Sequence, residues 1–252
     1  MEYETARADG VEPLLAIEGL CVRYGQFQAV HDLSLTVAPG EIVSIIGANG
    51  AGKSSLLNAV MGAATISTGV VRWDGEMLNG KGTSDIIAGG IALVPEGRRL
   101  FSTLTVEENL DIGRQVNRRG GIDLDRVFGW FPILKERRRQ KAGELSGGQQ
   151  QMIALGRALL MNPRLLLCDE ISLGLAPAVI NDLYRLLEEL RAGGLSIVLV
   201  EQDITRSLSV ADRFYCMLEG RVTLAGNPHE TDRETVMIHY FGSEKASGEY
   251  HA

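Results

Sequence analysis

A glycine-rich stretch that ends in lysine and serine, GANGAGKS at Gly47–Ser54, has the residue types needed to bind phosphate. It matches the pattern G-x-x-x-x-G-K-S without a deviation. Glycines there let successive backbone amides curl around phosphate oxygens, and the positive end of a following helix points at them. Lys53 would bring a full charge to the β- and γ-phosphates, and Ser54 would offer a hydroxyl to Mg²⁺. The spacing therefore predicts a site for a nucleoside triphosphate.

Two adjacent acids could supply the second half of this chemistry. Asp169 and Glu170 directly follow the apolar run LLLC at 165–168. The carboxyl end of a buried strand is where open α/β sheets bind ligands. We expect Asp169 to hold Mg²⁺ through water, and Glu170 to orient and polarise the water that attacks the γ-phosphate. The alternative for Glu170 is a solvated acid at a strand end.

A third motif, LSGGQQQ at Leu145–Gln151, opens a predicted helix with two adjacent glycines. Ser146 and Gln149 fit a capping box, in which each side chain satisfies a backbone amide of the first turn. Gly147 and Gly148 cost a helix start roughly 1 kcal/mol each relative to alanine. The local sequence does not account for that cost, so we expect another molecule to approach the backbone closely there.

The surrounding sequence predicts strands and helices that position these motifs. IVSII at 42–46 is apolar enough for a strand covered on both faces, and it runs directly into the glycine-rich stretch. LLLC at 165–168 and SIVLV at 196–200 are further apolar strands. An amphipathic helix over 178–192 lies between them, which predicts a parallel βαβ unit.

The pattern turns helical between the glycine-rich stretch and the adjacent acids. Thr105 and Glu108 form a second capping box at the start of a predicted helix, and Pro163 ends the helical region. We interpret this region, about 97–162, as a helical subdomain inserted into a sheet domain.

Composition narrows the class of protein. With 252 residues and 45% apolar residues, the chain fits one large α/β domain or a domain with one insertion. The net charge of −7 argues against bulk nucleic-acid binding. The basic run KERRRQK at Lys135–Lys141 is interpreted as a solvated face, with an interaction patch as the alternative. Cys21, Cys168 and Cys216 form no CxxC pair, which suits a reducing cytoplasm. We expect no secretory signal and no bilayer span, and therefore a link to a membrane only through a partner.

The pentapeptide LSGGQ at Leu145–Gln149, together with the glycine-rich stretch and the acids, resembles the ATP-binding subunits of ABC transporters. The resemblance covers nearly the whole chain. It implies an α/β fold of the P-loop NTPase (RecA-like) class, with a mixed-sheet core, an N-terminal antiparallel β part and the inserted helical subdomain. The implied limits are a single ATP-binding domain at 13–245, made of a core at 13–96 and 163–245 with the helical subdomain at about 97–162, and a tail at 246–252.

In that family two such domains meet head to tail, and the loop of one and the signature helix of the other enclose each ATP. Bare backbone at Gly147 and Gly148 would then touch the γ-phosphate held by the opposite subunit. Tyr24, on a predicted strand face with Leu20 and Val22, lies where the family places an aromatic ring against adenine; the alternative is a core tyrosine. The residues expected to bind ATP are Tyr24, Gly47, Asn49, Gly50, Ala51, Gly52, Lys53, Ser54, Ser55, Ser146, Gly147, Gly148 and Gln149.

Three positions depart from the family pattern. Glu96 stands where most members have glutamine, in the loop that links Mg²⁺ to the membrane partner, and a carboxylate can still bind a metal-bound water. Gln202 stands where most members have a switch histidine. Glutamine donates a hydrogen bond but cannot take up a proton or carry a charge, so we expect slower hydrolysis. Ile171 replaces a common proline, with no physical account beyond tolerated packing. The resemblance thus implies Glu170 and Gln202 as catalytic residues, and Ser54, Glu96 and Asp169 as metal ligands.

Longer stretches resemble one group within the family, the branched-chain amino acid importers. These stretches are VPEGRRLF at 94–101, TVEENL at 105–110, DEISLGLAP at 169–177 and VEQD at 200–203. Of the two ATPase subunits of those importers, the chain resembles the one that usually carries VEQN. The resemblance implies an ATP-hydrolysing subunit that powers uptake of branched-chain or other hydrophobic amino acids across the bacterial inner membrane, at its cytoplasmic face.

The same resemblance implies the partners and leaves other functions open. The partners would be a second ATPase subunit or a second copy of the chain, two transmembrane permease subunits and, indirectly, a periplasmic substrate-binding protein, with no nucleic acid. Importers of urea or short amides and lipopolysaccharide exporters use a similar cassette and stay open as alternatives. A DNA-repair ATPase is disfavoured, because the interval from Ser54 to Ser146 has no heptads and no cysteines.

The membrane subunits are expected to press a short helix into the groove between Glu96 and the helical subdomain. We therefore expect charge reversal at Arg98 or Arg99 to uncouple ATPase activity from transport more than it reduces ATP binding. The alternative is that both arginines are solvated.

Overall fold

The computed structural model describes residues 12–116 and 118–242, so the expected tail at 246–252 lies outside the described residues. The strands in chain order are β1 Leu15–Tyr24, β2 Phe27–Val37, β3 Ile42–Ile46, β4 Thr65–Trp73, β5 Glu76–Met77, β6 Ile91–Val94, β7 Leu165–Asp169, β8 Ser196–Glu201, β9 Arg213–Leu218 and β10 Arg221–Gly226. The helices are α1 Lys53–Val60, α2 Thr83–Gly89, α3 Val106–Arg114, α4 Leu124–Trp130, α5 Pro132–Glu136, α6 Gly147–Leu159, α7 Pro177–Ala192, α8 Ile204–Val210 and α9 Arg233–Phe241.

The chain divides into two compact units. Unit 1 is Met1–Thr83 with Val198–Ala252, and unit 2 is Ser84–Ile197. The helical subdomain was expected at about 97–162, whereas unit 2 also contains β6, β7 and α7. These strands cluster with the helices because β6 pairs with β7 and contacts α6. The expected limits of the ATP-binding domain stay a prediction.

The first sheet of unit 1 is antiparallel, with strand order β2-β1-β4-β5. Leu20 and Val22, which share the predicted strand face of β1, are fully buried, as is Leu33 of β2. Tyr24 differs, because it lies at the end of β1, beyond three shifts in the register with β2. It is 45% exposed, so the alternative that Tyr24 is a core residue is wrong.

The second sheet of unit 1 is mixed, as predicted. β9 pairs parallel with β3 and antiparallel with β10. β3 is buried along its whole length, as expected for a strand covered on both faces. Arg213, the first residue of β9, forms an ion pair at 3.2 Å with Glu41, the residue before β3, and both side chains are largely buried. The start of β3 is therefore held by a charged contact as well as by the strand ladder.

Unit 2 contains a parallel strand pair, in which Ile91 of β6 lies opposite Leu165 of β7. The predicted order of strand, helix and strand is found as β7, α7 and β8. The charged side chains of the basic run Lys135–Lys141 are exposed, in agreement with a solvated face. Over residues 12–116 and 118–242, no helix is both long and apolar enough to cross a bilayer.

Helices α3 and α6 form the main helix pair of unit 2. α3 begins with the predicted capping box, in which the Thr105 hydroxyl accepts from the Glu108 amide and the Glu108 carboxylate accepts from the Thr105 amide. The two helices approach closely at Gly113, where an added Cβ would lie 2.1 Å from the carbonyl oxygen of Arg157. Only glycine at this position lets the two backbones come so near.

Candidate nucleotide site

The glycine-rich loop, Gly47–Ser54, connects β3 directly to α1. Gly52, the last residue before α1, has a φ of 97°, in the left-handed region. An added Cβ on Gly52 would lie 2.5 Å from the carbonyl oxygen of Ala29, and one on Gly47 would lie 2.4 Å from that of Met217. These two glycines are therefore required by the packing of the loop within unit 1, in addition to any close approach of phosphate.

Lys53 is buried, and its side chain folds back over the loop. Its ammonium donates to the carbonyl oxygens of Gly47 at 2.7 Å and Ala48 at 3.1 Å. A phosphate that enters the loop would replace these neutral acceptors with charged ones, which form stronger hydrogen bonds. The charge is thus already placed at the loop.

The other loop residues differ in exposure. Asn49 and Gly50 are exposed, and Ser54 and Ser55 are partly exposed in the first turn of α1. Ala51 is buried, and its carbonyl oxygen accepts from the amide of Gly220 at 3.0 Å. The loop is therefore held by a backbone hydrogen bond at Ala51 and is exposed at Asn49 and Gly50.

In unit 2, β7 ends at the predicted acids. Asp169 is 7% exposed, and Glu170 is partly exposed. Glu170 has a φ of 50°, a conformation that side chains with a Cβ rarely adopt and that is concentrated at functional sites. Ile171 is buried, which agrees with its interpretation as a packing residue.

The signature segment, Leu145–Gln149, forms the start of α6. Its capping box is present: the Ser146 hydroxyl accepts from the Gln149 amide at 3.4 Å, and the Gln149 side-chain oxygen accepts from the Ser146 amide at 3.1 Å. Gly147 and Gly148 are the first two residues of the helix. Ser146 is exposed, so its hydroxyl remains accessible to a ligand.

Part of the reason for the two glycines lies within the chain. An added Cβ on Gly147 would lie 2.9 Å from a guanidinium nitrogen of Arg98, and one on Gly148 would lie 3.3 Å from a Cγ of Val179. Both contacts join segments far apart in sequence, which is why the local sequence showed no reason for them. Arg98 and Val179 support the signature segment and were not among the predicted site residues.

The remaining predicted residues lie at strand ends. Tyr24 ends β1, Gln202 directly follows β8, and Glu96 follows β6 by a short turn. Tyr24 and Glu96 are exposed, and Gln202 is partly buried. The glycine-rich loop, Tyr24 and Gln202 belong to unit 1, whereas Glu96, the two acids and the signature segment belong to unit 2.

Comparison with known proteins agrees with the fold and the site. The ABC transporter family matches residues 30–172, and the chain belongs to this family. The high-affinity branched-chain amino acid transport ATP-binding protein BraG of Pseudomonas aeruginosa is 47% identical, over 84% of this chain and 91% of the relative. The probable branched-chain amino acid transport ATP-binding protein LivG of Methanocaldococcus jannaschii is 30% identical, over 86% and 91%.

Solved structures confirm the predicted fold class. An ATP-binding cassette of an ABC transporter in its ADP conformation has a TM-score of 0.78 at 28% identity, over 92% of this chain and all of that one. A nucleotide-free ATP-binding cassette has a TM-score of 0.75 at 28% identity, over 86% and 92%. The fold is the α/β P-loop NTPase fold, and the protein is an ATP-binding ATPase, as the sequence predicted.

Proposed function

We propose that the chain is the ATP-hydrolysing subunit of an importer for branched-chain or other hydrophobic amino acids. The observation that carries this proposal is the 47% identity to BraG along nearly the full length of both chains. LivG of Methanocaldococcus jannaschii and LivF of Archaeoglobus fulgidus, both described as probable branched-chain amino acid transport ATP-binding proteins, support the same substrate class. In this role the chain would act at the cytoplasmic face of the inner membrane, attached through partner subunits.

The loop and the acids would divide the chemistry of hydrolysis between them. The backbone amides of Gly50–Gly52 and the Lys53 ammonium would hold the phosphates, with the adenine on Tyr24. Mg²⁺, held by the Ser54 hydroxyl and through water by Asp169 and Glu96, would neutralise charge on the phosphate oxygens. Glu170 would hold and polarise the attacking water, and Gln202 would donate a hydrogen bond to the γ-phosphate.

The signature segment would act on nucleotide bound by a second cassette, either another copy or a related subunit. Ser146 is exposed, and α6 begins with two residues that lack side chains, so its positive end is open to an anion. Two cassettes head to tail would then enclose two ATP molecules, and hydrolysis would release them from each other. Two membrane permeases and, indirectly, a periplasmic binding protein would complete the assembly.

The test is transport by the complex reconstituted with its membrane and binding-protein partners in proteoliposomes. We expect ATP-dependent uptake of leucine, isoleucine and valine that Glu170→Gln abolishes. Glu188→Gln, which changes an exposed acid on α7, is the matched control and should leave uptake unchanged. Uptake of urea or acetamide in place of the amino acids, or lipopolysaccharide export, would overturn the proposed substrate class.

A further inference from the structure

The loop that follows β6 has an unusual backbone. The φ values of Gly97, Arg98 and Arg99 are 74°, 66° and 43°. Three successive residues therefore have a backbone conformation in the left-handed region. Two of the three are arginines, for which this conformation is unfavourable. Such a loop persists only when surrounding contacts hold it.

The first contact that holds the loop comes from the later part of α6. The Arg157 guanidinium donates to the carbonyl oxygens of Arg98 at 3.3 Å and Arg99 at 3.0 Å. Burial lowers the pKa of Arg157 from its ordinary value, so this charge is desolvated and depends on those carbonyls. The backbone of the loop is therefore fastened to α6.

The second contact comes from the loop to the start of α6. The Arg98 guanidinium donates to the side-chain oxygen of Gln150 at 3.2 Å. The Gln150 amide in turn donates to the carbonyl oxygens of Ala142 at 3.2 Å and Leu145 at 3.1 Å, directly before the signature helix. The alternative of a solvated side chain therefore does not hold for Arg98, whereas Arg99 is exposed.

The same guanidinium lies against the bare backbone of Gly147. The space where a Cβ would stand is taken by an Arg98 nitrogen 2.9 Å away. Gly147 thus gives Arg98 access to the first turn of α6. One arginine connects the loop beyond Glu96 to both the residues before the helix and the helix start.

We propose that Arg98 is a positioning residue that sets the orientation of Ser146–Gly148 towards the phosphate that this segment contacts. This inference rests on the proposed function, since the phosphate belongs to nucleotide on a second cassette. It also gives Gly147 a contact that is separate from phosphate, because a Cβ at this position would have to displace the Arg98 guanidinium.

Steady-state ATPase kinetics of the reconstituted complex test this inference. Arg98→Ala should lower kcat by roughly tenfold with little change in ATP affinity, because it disturbs the signature segment and not the glycine-rich loop. Arg185→Ala is the control, because Arg185 has the same charge and lies exposed on α7 in a surface ion pair with Asp182. It should keep kcat within about twofold of the unchanged complex.

A double-substitution cycle separates the two reasons for Gly147. Gly147→Ala should lower kcat on its own, because the new Cβ meets the guanidinium. In the Arg98→Ala background the same change should cost less, because only the crowding of the phosphate remains, so the two effects should not multiply. A Gly147→Ala effect of equal size in both backgrounds, or Arg98→Ala and Arg185→Ala giving equal kcat, would overturn the inference.

Failure of the proposed function would look different. If the unchanged complex hydrolysed ATP independently of Glu170 and Ser146, the two-cassette site itself would be wrong. If Glu170→Gln and Ser146→Arg abolished hydrolysis while Arg98→Ala did not lower it, only the positioning role would fail. Thermal unfolding of each variant would show whether a lower kcat reflects loss of folded protein.

Discussion

At the scale of single residues, the site combines charge with unusual backbone. Lys53 is buried beside loop carbonyl oxygens, and Glu170 holds a left-handed conformation at the end of β7. Each feature fixes the position of a charged side chain at a cost in free energy. For Lys53 the cost is the burial of a charge, and for Glu170 it is an unfavourable backbone conformation. Such arrangements fit groups that must be in place before the substrate arrives.

Gln202 carries the clearest prediction at this scale. Glutamine can donate to the γ-phosphate but cannot carry a charge, whereas histidine can do both. We expect Gln202→His to raise the ATP turnover of the assembled complex by about tenfold. Gln115→His, at an exposed position after α3, is the control and should change nothing. Equal turnover before and after Gln202→His would contradict a role for this position.

At the scale of elements, the helices of unit 2 are positioned by close backbone contact. α3 and α6 meet at Gly113, which faces the carbonyl oxygen of Arg157, and Arg157 also holds the loop that carries Arg98. Arg157 of the signature helix therefore contacts both α3 and the loop. We therefore expect a change at the helix contact to alter the position of Arg157 as well.

We expect Gly113→Ala to lower the free energy of unfolding by about 1–3 kcal/mol, because the added Cβ would force the two helices apart. Chemical denaturation followed by circular dichroism measures this. Gly129→Ala is the matched control: Gly129 lies within α4, and no atom lies within 4 Å of an added Cβ. It should be neutral or stabilising by up to about 1 kcal/mol. Identical denaturation midpoints for Gly113→Ala and Gly129→Ala would show that the helix contact is not tight.

At the scale of the whole molecule, the proposed function requires two cassettes. The phosphate loop belongs to unit 1 and the signature segment to unit 2, and the signature segment is proposed to act on nucleotide bound by another cassette. A single chain would then bind ATP without completing either site. ATP would act as the link between the chains.

We therefore expect Glu170→Gln to accumulate as a pair of cassettes when ATP and Mg²⁺ are present. Light scattering of this variant, alone or mixed with its partner subunit, should report a doubling of mass with ATP. With ADP the mass should stay that of single chains, because the γ-phosphate is missing. An unchanged mass with ATP would count against the head-to-tail arrangement.

The sequence by itself determined the elements and the motifs whose chemistry is local. The capping boxes at Thr105 and Ser146, the buried strands and the glycine-rich loop all depend on neighbours a few residues away or on the period of the pattern. Such interactions can be recognised in the amino-acid sequence because the contacting residues are close together along the chain. Family membership followed from the same motifs.

Only the tertiary structure decided how distant segments meet. It showed that Gly47 and Gly52 make room for the backbone at Met217 and Ala29, and that Arg98 lies against Gly147. It also showed that Tyr24, at the end of its strand, is exposed to solvent. These contacts join residues far apart along the chain, and their fit depends on packing at sub-ångström scale, which leaves no periodic signal in the sequence.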